Sequence, residues 1–288
     1  MLRLSRPLPV RAAERMQIAA GPSRLLSCPA IMDQQDYEAK RERERAWYTE
    51  KPVRRSFAQR VLNHPLIYRQ ERVEFNYVFP KRQMAQMVRR HRPEPMDRLL
   101  IAPCGTGADM AYLGDLSREA HGIDLSPEAV AQCPASMQTR VGDILTSEYP
   151  DATFDVVAAP LFFHHLLRFG FDRFLYEFYR VLKPGGGLVI LEPSLYYPLN
   201  LITRPVKHVF GNPYGEVEDE GPFRPALLER ALRRVGFVEI DVRAASFSHP
   251  AFYIPLARLV NRLTRSLLGA WPMKYWGWQL VFWAEKPK

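Results

Sequence analysis

Leu99-Leu100-Ile101-Ala102-Pro103-Cys104-Gly105-Thr106-Gly107 is the stretch that decides the fold of this 288-residue chain. An apolar run entering a Gly-x-Gly turn reads as a buried strand followed by a tight bend. Glycines there let backbone amides approach a ligand, and the next helix turns its positive N-terminus toward that ligand. Outward from it, Ala120–Leu125, Thr139–Ile144, Phe154–Ala159 and Gly187–Leu191 are four more short apolar runs. Helical stretches at Asp109–Arg118, Pro127–Gln132 and Phe171–Leu182 fit between them. Strand and helix alternating in this way predict an α/β fold, a doubly wound and mostly parallel sheet covered on both faces. Pro225–Gly236 reads as a helix with proline in its first turn and glycine at its end. Phe237–Val242 and Trp278–Glu285 read as two closing strands.

Spacing sharpens the turn. Asp124 ends the second run, where a carboxylate can accept hydrogen bonds from two ribose hydroxyls. Asp143, after Gly142, ends the third run and could accept from an adenine amino group. Each aspartate alone could equally be a turn or helix cap; Ser126 and Pro127 follow Asp124 as a cap and first turn would. In order, and followed by Pro184-Gly185-Gly186-Gly187 turning into the fifth run, they point to a nucleoside site. A nicotinamide cofactor would call for a third glycine where this chain has Met110, so a ligand without a pyrophosphate is expected.

The ordered motifs Cys-Gly-Thr-Gly (104–107), Ile-Asp-x-Ser (123–126), Gly-Asp (142–143), Phe-Asp-Val-Val (154–157) and Leu-Lys-Pro-Gly-Gly (182–186) resemble those of the class I S-adenosylmethionine-dependent methyltransferases of the small-molecule, type 11-like branch. The resemblance is firm over residues 97–193. It implies a Rossmann-like sheet of seven strands with the last antiparallel. It implies S-adenosylmethionine as cofactor and methyl transfer to a small or lipid-like acceptor by in-line displacement. Ala102, Pro103, Cys104, Gly105, Thr106 and Gly107 would then line its methionine end, Asp124 with Leu125 its ribose, Gly142, Asp143 and Ile144 its adenine. Pro160 and Leu161 would flank the methyl. Two positions depart from the family: Ile101 stands where an acid is common, and Pro103 where glycine is common. Asp109, at the start of the following helix, could partly substitute for the missing acid, or stand there as a carboxylate favoured by the helix dipole. These departures keep open an alternative, a non-catalytic binding or partner subunit of the same fold.

Transfer to an oxygen or nitrogen nucleophile commonly uses a base, and His164 and His165 follow the fourth strand at the ligand edge, so they are the candidate catalytic residues; the alternative is that one caps the next helix and the other packs. No metal site is expected; the acidic run Glu216, Glu218, Asp219, Glu220 carries no His or Cys and reads as solvated. Tyr196, Tyr197 and Tyr214 are candidates for an acceptor pocket within the insert 194–224.

Around this domain, 97–288, the chain is expected to carry an N-terminal helical cap, 32–96, and an extension, 1–31, that is disordered or an upstream-extended gene start beyond Met32. Within the cap, 34–47 reads as an exposed helix, and 66–92 as two short helices with Pro80 opening the second. Residues 1–96 hold 20 Lys+Arg against 10 Asp+Glu, whereas 97–288 hold 20 against 21, so the net charge of +9 belongs to the N-terminal third. No nucleic-acid motif accompanies it, and no nucleic-acid partner is expected. Tyr253–Leu268 reads as a cap helix whose stripe, Leu256, Leu259, Val260, Leu263 and Leu267, either packs on the sheet or meets a membrane surface. The apolar runs are too short to span a bilayer, and Cys28, Cys104 and Cys133 are spaced for neither a zinc site nor a disulfide framework, so a cytoplasmic protein is expected.

Overall fold

The computed structural model describes residues 34–46, 70–201, 220–250 and 252–288, all within the unit Met32–Lys288. The extension 1–31 lies outside the described residues, as do Tyr214, Glu216, Glu218 and Asp219.

Seven strands form one sheet: β1 Met96–Ile101, β2 Ser117–Asp124, β3 Met137–Val141, β4 Phe154–Pro160, β5 Leu182–Pro193, β6 Val238–Ser246 and β7 Gln279–Glu285, in the order β3-β2-β1-β4-β5-β7-β6. The first five are parallel, and β7 runs antiparallel between β5 and β6. This is the doubly wound mixed sheet that the alternating runs predict.

The apolar runs follow from burial on both faces. Successive side chains of a strand alternate sides. Leu99 and Ile101 join Val156, Val189 and Leu191 on one face, while Leu100, Val157, Leu188 and Ile190 lie on the other, all fully buried. Helix α2, Gln70–His91, packs Met84, Met87 and Val88 on the first face, with Leu113 of the short helix α3, Met110–Leu113. The second face receives Phe174 and Phe178 of α5, Asp172–Val181, and Leu228 and Leu232 of α6, Pro225–Val235. Between β2 and β3 lies a single turn, α4, Pro127–Val130, capped by the Ser126 hydroxyl accepting from Ala129 N. Gly236 ends α6 at φ +108°, a left-handed cap that glycine adopts without strain.

Four local expectations change. The 66–92 region is one continuous helix from residue 70, with Pro80 inside it; burial of Met84, Met87 and Val88 after the proline and of Arg72 and Asn76 before it, against a sheet face that includes β5, β6 and β7, outweighs the one hydrogen bond that proline removes. The 109–118 helix is shorter, passing into a turn of 3-10 helix over Gly114–Leu116 before β2 begins at Ser117. Residues 184–186 lie inside β5, which already begins at Leu182, rather than in a turn before it, and the buried Trp283 ring lies where a Gly187 side chain would project. The 34–47 helix, α1, Gln34–Ala46, is not exposed all round: Tyr37 and Lys40 are buried.

Candidate functional site

A cavity of about 430 Å³ opens at the carboxyl ends of β1, β2 and β4, the edge at which open α/β sheets bind ligands. It collects Ala102, Pro103, Cys104, Gly105, Thr106, Asp109, Asp124, Leu125, Gly142, Asp143, Ile144, Pro160 and Leu161. Of the expected cofactor residues Gly107 alone is absent from its wall; at φ +73° it packs against Cys133 and Pro134 instead.

The Gly-x-Gly turn is tied to β2. Cys104 N donates to Ile123 O (3.0 Å), and Gly105 N donates to Asp124 Oδ2 (2.7 Å). Ser126 N donates to Asp124 Oδ1 (3.0 Å). Burial pushes the Asp124 carboxyl above its usual range, and these backbone donors compensate only in part. Added hydroxyl donors would stabilise its charge. Asp143 is buried more deeply and is already engaged: Oδ1 accepts from Leu145 N (2.9 Å), while Oδ2 accepts from the Tyr37 hydroxyl (2.8 Å) and pairs with Arg41 Nε (3.2 Å). Both of the latter come from α1, which lies along the cavity wall. Asp109, at the start of α3, pairs with Lys81 of α2 (3.1 Å). Its Oδ1 is buried and accepts no properly aligned hydrogen bond among the described residues.

After β4 the chain turns sharply through Leu161, whose φ of +54° is the left-handed region that leucine rarely adopts. Glu192, buried at the end of β5, holds this turn. Its carboxylate accepts from Phe162 N (2.7 Å) and Phe163 N (2.5 Å), and its other oxygen meets His164 Nδ1 at 2.9 Å. His164 thus faces Glu192 and is not in the cavity wall, whereas His165 is. His165 Nδ1 lies 3.0 Å from Glu220 and 3.3 Å from Glu44 of α1, and Lys40 Nζ pairs with both carboxylates. Burial alone would lower the His165 pKa, but the hydrogen bonds and charges of Glu220 and Glu44 outweigh it and push it up to about 9. Burial likewise opposes ionisation of Glu44 and Glu220, and their bonds to His165 and Lys40 bring both carboxyls down. The donor atoms of Glu44, His165 and Glu220 lie within 4.8 Å of one another, as metal ligands would, but Lys40 supplies the positive charge among them.

Sequence reasoning missed Tyr37, Lys40, Arg41, Glu44, Lys81, Glu192 and Glu220. Glu192 alone had a readable signal, an acid ending a buried run as Asp124 and Asp143 do. Tyr197 is buried, stacked on His249 with its hydroxyl donating to Phe247 O (3.1 Å), and Tyr196 is exposed; neither lines the cavity.

Residues 100–190 match the model of a methyltransferase domain. An S-adenosylmethionine-dependent methyltransferase of Mycolicibacterium smegmatis is 31% identical over 124 residues, 42% of this chain and 47% of that protein, so the match spans about half the relative's length. The demethylmenaquinone methyltransferase of Symbiobacterium thermophilum is 28% identical over 199 residues, 57% of this chain and 77% of that one. Among solved structures, a SAM-dependent methyltransferase of Thermotoga maritima superimposes with a TM-score of 0.53, 17% identity and coverage of 80% of this chain and 96% of its own, a likeness of fold. With the strand order, the Gly-x-Gly turn and the acids at the strand ends, these matches show a domain similar to S-adenosylmethionine-dependent methyltransferases over residues 100–190, set in a sheet with the class I methyltransferase fold.

Proposed function

We propose that the chain binds S-adenosylmethionine in the 430 Å³ cavity and methylates a small, lipid-like acceptor. The observation that carries the reading is one cavity joining Asp124, whose backbone donors only partly offset its burial, to the buried Asp109 Oδ1, which accepts no aligned hydrogen bond among the described residues. A ribose diol suits the first and an ammonium the second, and Lys81 beside Asp109 would meet the carboxylate of the same amino-acid end. The residues present therefore fit the cofactor, Ile101 notwithstanding. Gly142, Asp143 and Ile144 would flank the adenine, whose amino group would share Asp143 with Tyr37 and Arg41.

The bound cofactor supplies an electrophilic methyl on a sulfonium. The chain's part is to orient and desolvate: Pro160 and Leu161 shape the methyl position on a turn that Glu192 fixes. Orientation of this kind contributes roughly 7–11 kcal/mol to such reactions. With α1 seated, His165 is a cation at neutral pH and so orients an acceptor through its charge rather than taking its proton. An acceptor whose oxygen is already ionised needs no base there. The quinone-type relative supports a lipid-like acceptor.

Isothermal titration tests the cofactor reading. Wild type is expected to bind S-adenosylhomocysteine, and Asp124→Ala to bind it roughly 10–100-fold more weakly, the loss of one to two charge-assisted hydrogen bonds. Neither heat nor a thermal shift at millimolar ligand ends the proposal. The second reading, a partner subunit without catalysis, is favoured by the engagement of Asp143 with α1. It predicts that no methylated product forms from any lipid extract even when ligand binds.

A further inference from the structure

The helix α7, Ile254–Leu263, turns the greasy side of its sequence outward. It attaches through Ala257 and Asn261, both buried, and the Asn261 amide is held by Ser246 and Ser248 at 3.0 Å each. That anchoring face leaves Leu256, Leu259 and Leu263 exposed to 46%, 52% and 67%, and Trp271 in the turn that follows is 80% exposed. A soluble surface scatters such residues singly; here the three leucines share one helix face, and Trp271 follows beyond the 3-10 turn Arg265–Leu267. Arg258, Arg262 and Arg265 border the leucines and are exposed. From residue 242 to 284 the chain holds five Lys+Arg and no Asp or Glu.

We propose that α7 and the Trp271 turn seat this protein on an anionic lipid bilayer. Leucines on one side, arginines beside them and tryptophan at the rim are the parts of a helix that lies in the headgroup layer. Charge selects the occupant: a second copy applied face to face would bring the same arginines together, while anionic headgroups neutralise them. The placement is useful. The excursion 247–278 leaves the end of β6 and re-enters at the start of β7, beside Pro193. That is the sheet end where the cavity opens. Resting on the proposed methyl transfer, the docking would deliver a lipid-like acceptor from the bilayer to the cavity edge.

Sedimentation of the full chain with vesicles tests this, using phosphatidylcholine alone and phosphatidylcholine with phosphatidylglycerol. Wild type is expected to bind the anionic vesicles and to lose most binding in high salt. Leu259→Asp with Leu263→Asp, and separately Arg262→Glu with Arg265→Glu, are expected to weaken binding at least tenfold with unchanged melting temperature and S-adenosylhomocysteine affinity. Those two readouts keep failure of docking distinct from failure of the cofactor reading. Absence of vesicle binding overturns the proposal, as does binding that both variants retain, which would assign it elsewhere in the chain. Light scattering that shows a dimer lost in the leucine variant would overturn it in favour of a second copy.

Discussion

Raising the pH should unseat α1, and His165 sets the size of the effect. Its pKa is about 9 in the folded protein against an ordinary value of 6.5. A folded pKa raised above the unfolded one contributes stability that is fully present below pH 6.5 and is lost as pH rises through 9. Each unit is about 1.4 kcal/mol, so the scan from pH 6.5 to 8.5 removes at most about 2.7 kcal/mol. The side chain is 29% exposed, and solvent screening brings the expectation to roughly 1–2 kcal/mol. For a domain of this size that is a fall of about 2–8 °C in melting temperature. His165→Gln keeps a hydrogen-bond donor but cannot titrate, so its profile should be flatter by that amount. The comparison cancels other groups: the Cys104 and Cys133 thiols, raised by burial, are in both proteins and titrate above the window, and His121, lowered by burial, titrates below it. Hydrogen exchange of the α1 amides, corrected for intrinsic rate, should rise with pH in wild type only. Parallel melting and exchange profiles for the two proteins would refute the reasoning.

Gly187→Ala would drive a methyl group into the buried Trp283 ring, and overpacking of this kind costs about 1–3 kcal/mol, read as a lower denaturant midpoint at unchanged slope. Glu192→Gln replaces an acceptor of three backbone amides by a group that is half donor; a loss of roughly 1–3 kcal/mol is expected, with the His164 Nδ1–H resonance no longer protected from solvent. A Glu192→Gln protein as stable as wild type would remove the carboxylate from its role in the turn.

The sheet was legible because its strands are buried on both sides: an unbroken run such as Val156-Val157-Ala158-Ala159 leaves few alternatives. The acids at the ends of β2 and β3 and the Gly-x-Gly turn were legible for the same reason, since polar residues stand out where an apolar run stops. Helix α1 was not. Its residues are mostly charged, and what seats it is pairing with Asp143 and Glu220, partners distant in the chain. Glu220 read as solvated because it closes an acidic run, yet it faces Lys40 and His165. The leucine stripe of α7 was visible as a stripe, but its direction depended on Asn261 finding two buried serines. The reading of 66–92 as two helices gave Pro80 more weight than the burial on either side of it allows.

The engagement of Asp143 has a kinetic corollary. Its outer oxygen has room for few donors, and Tyr37 and Arg41 already claim them. On the proposed cofactor placement, a purine arriving at that end would have to displace or share them, coupling admission of a nucleoside to loosening of the N-terminal helix. Any change that tightens the helix, even far from the nucleoside, would then slow entry and exit alike.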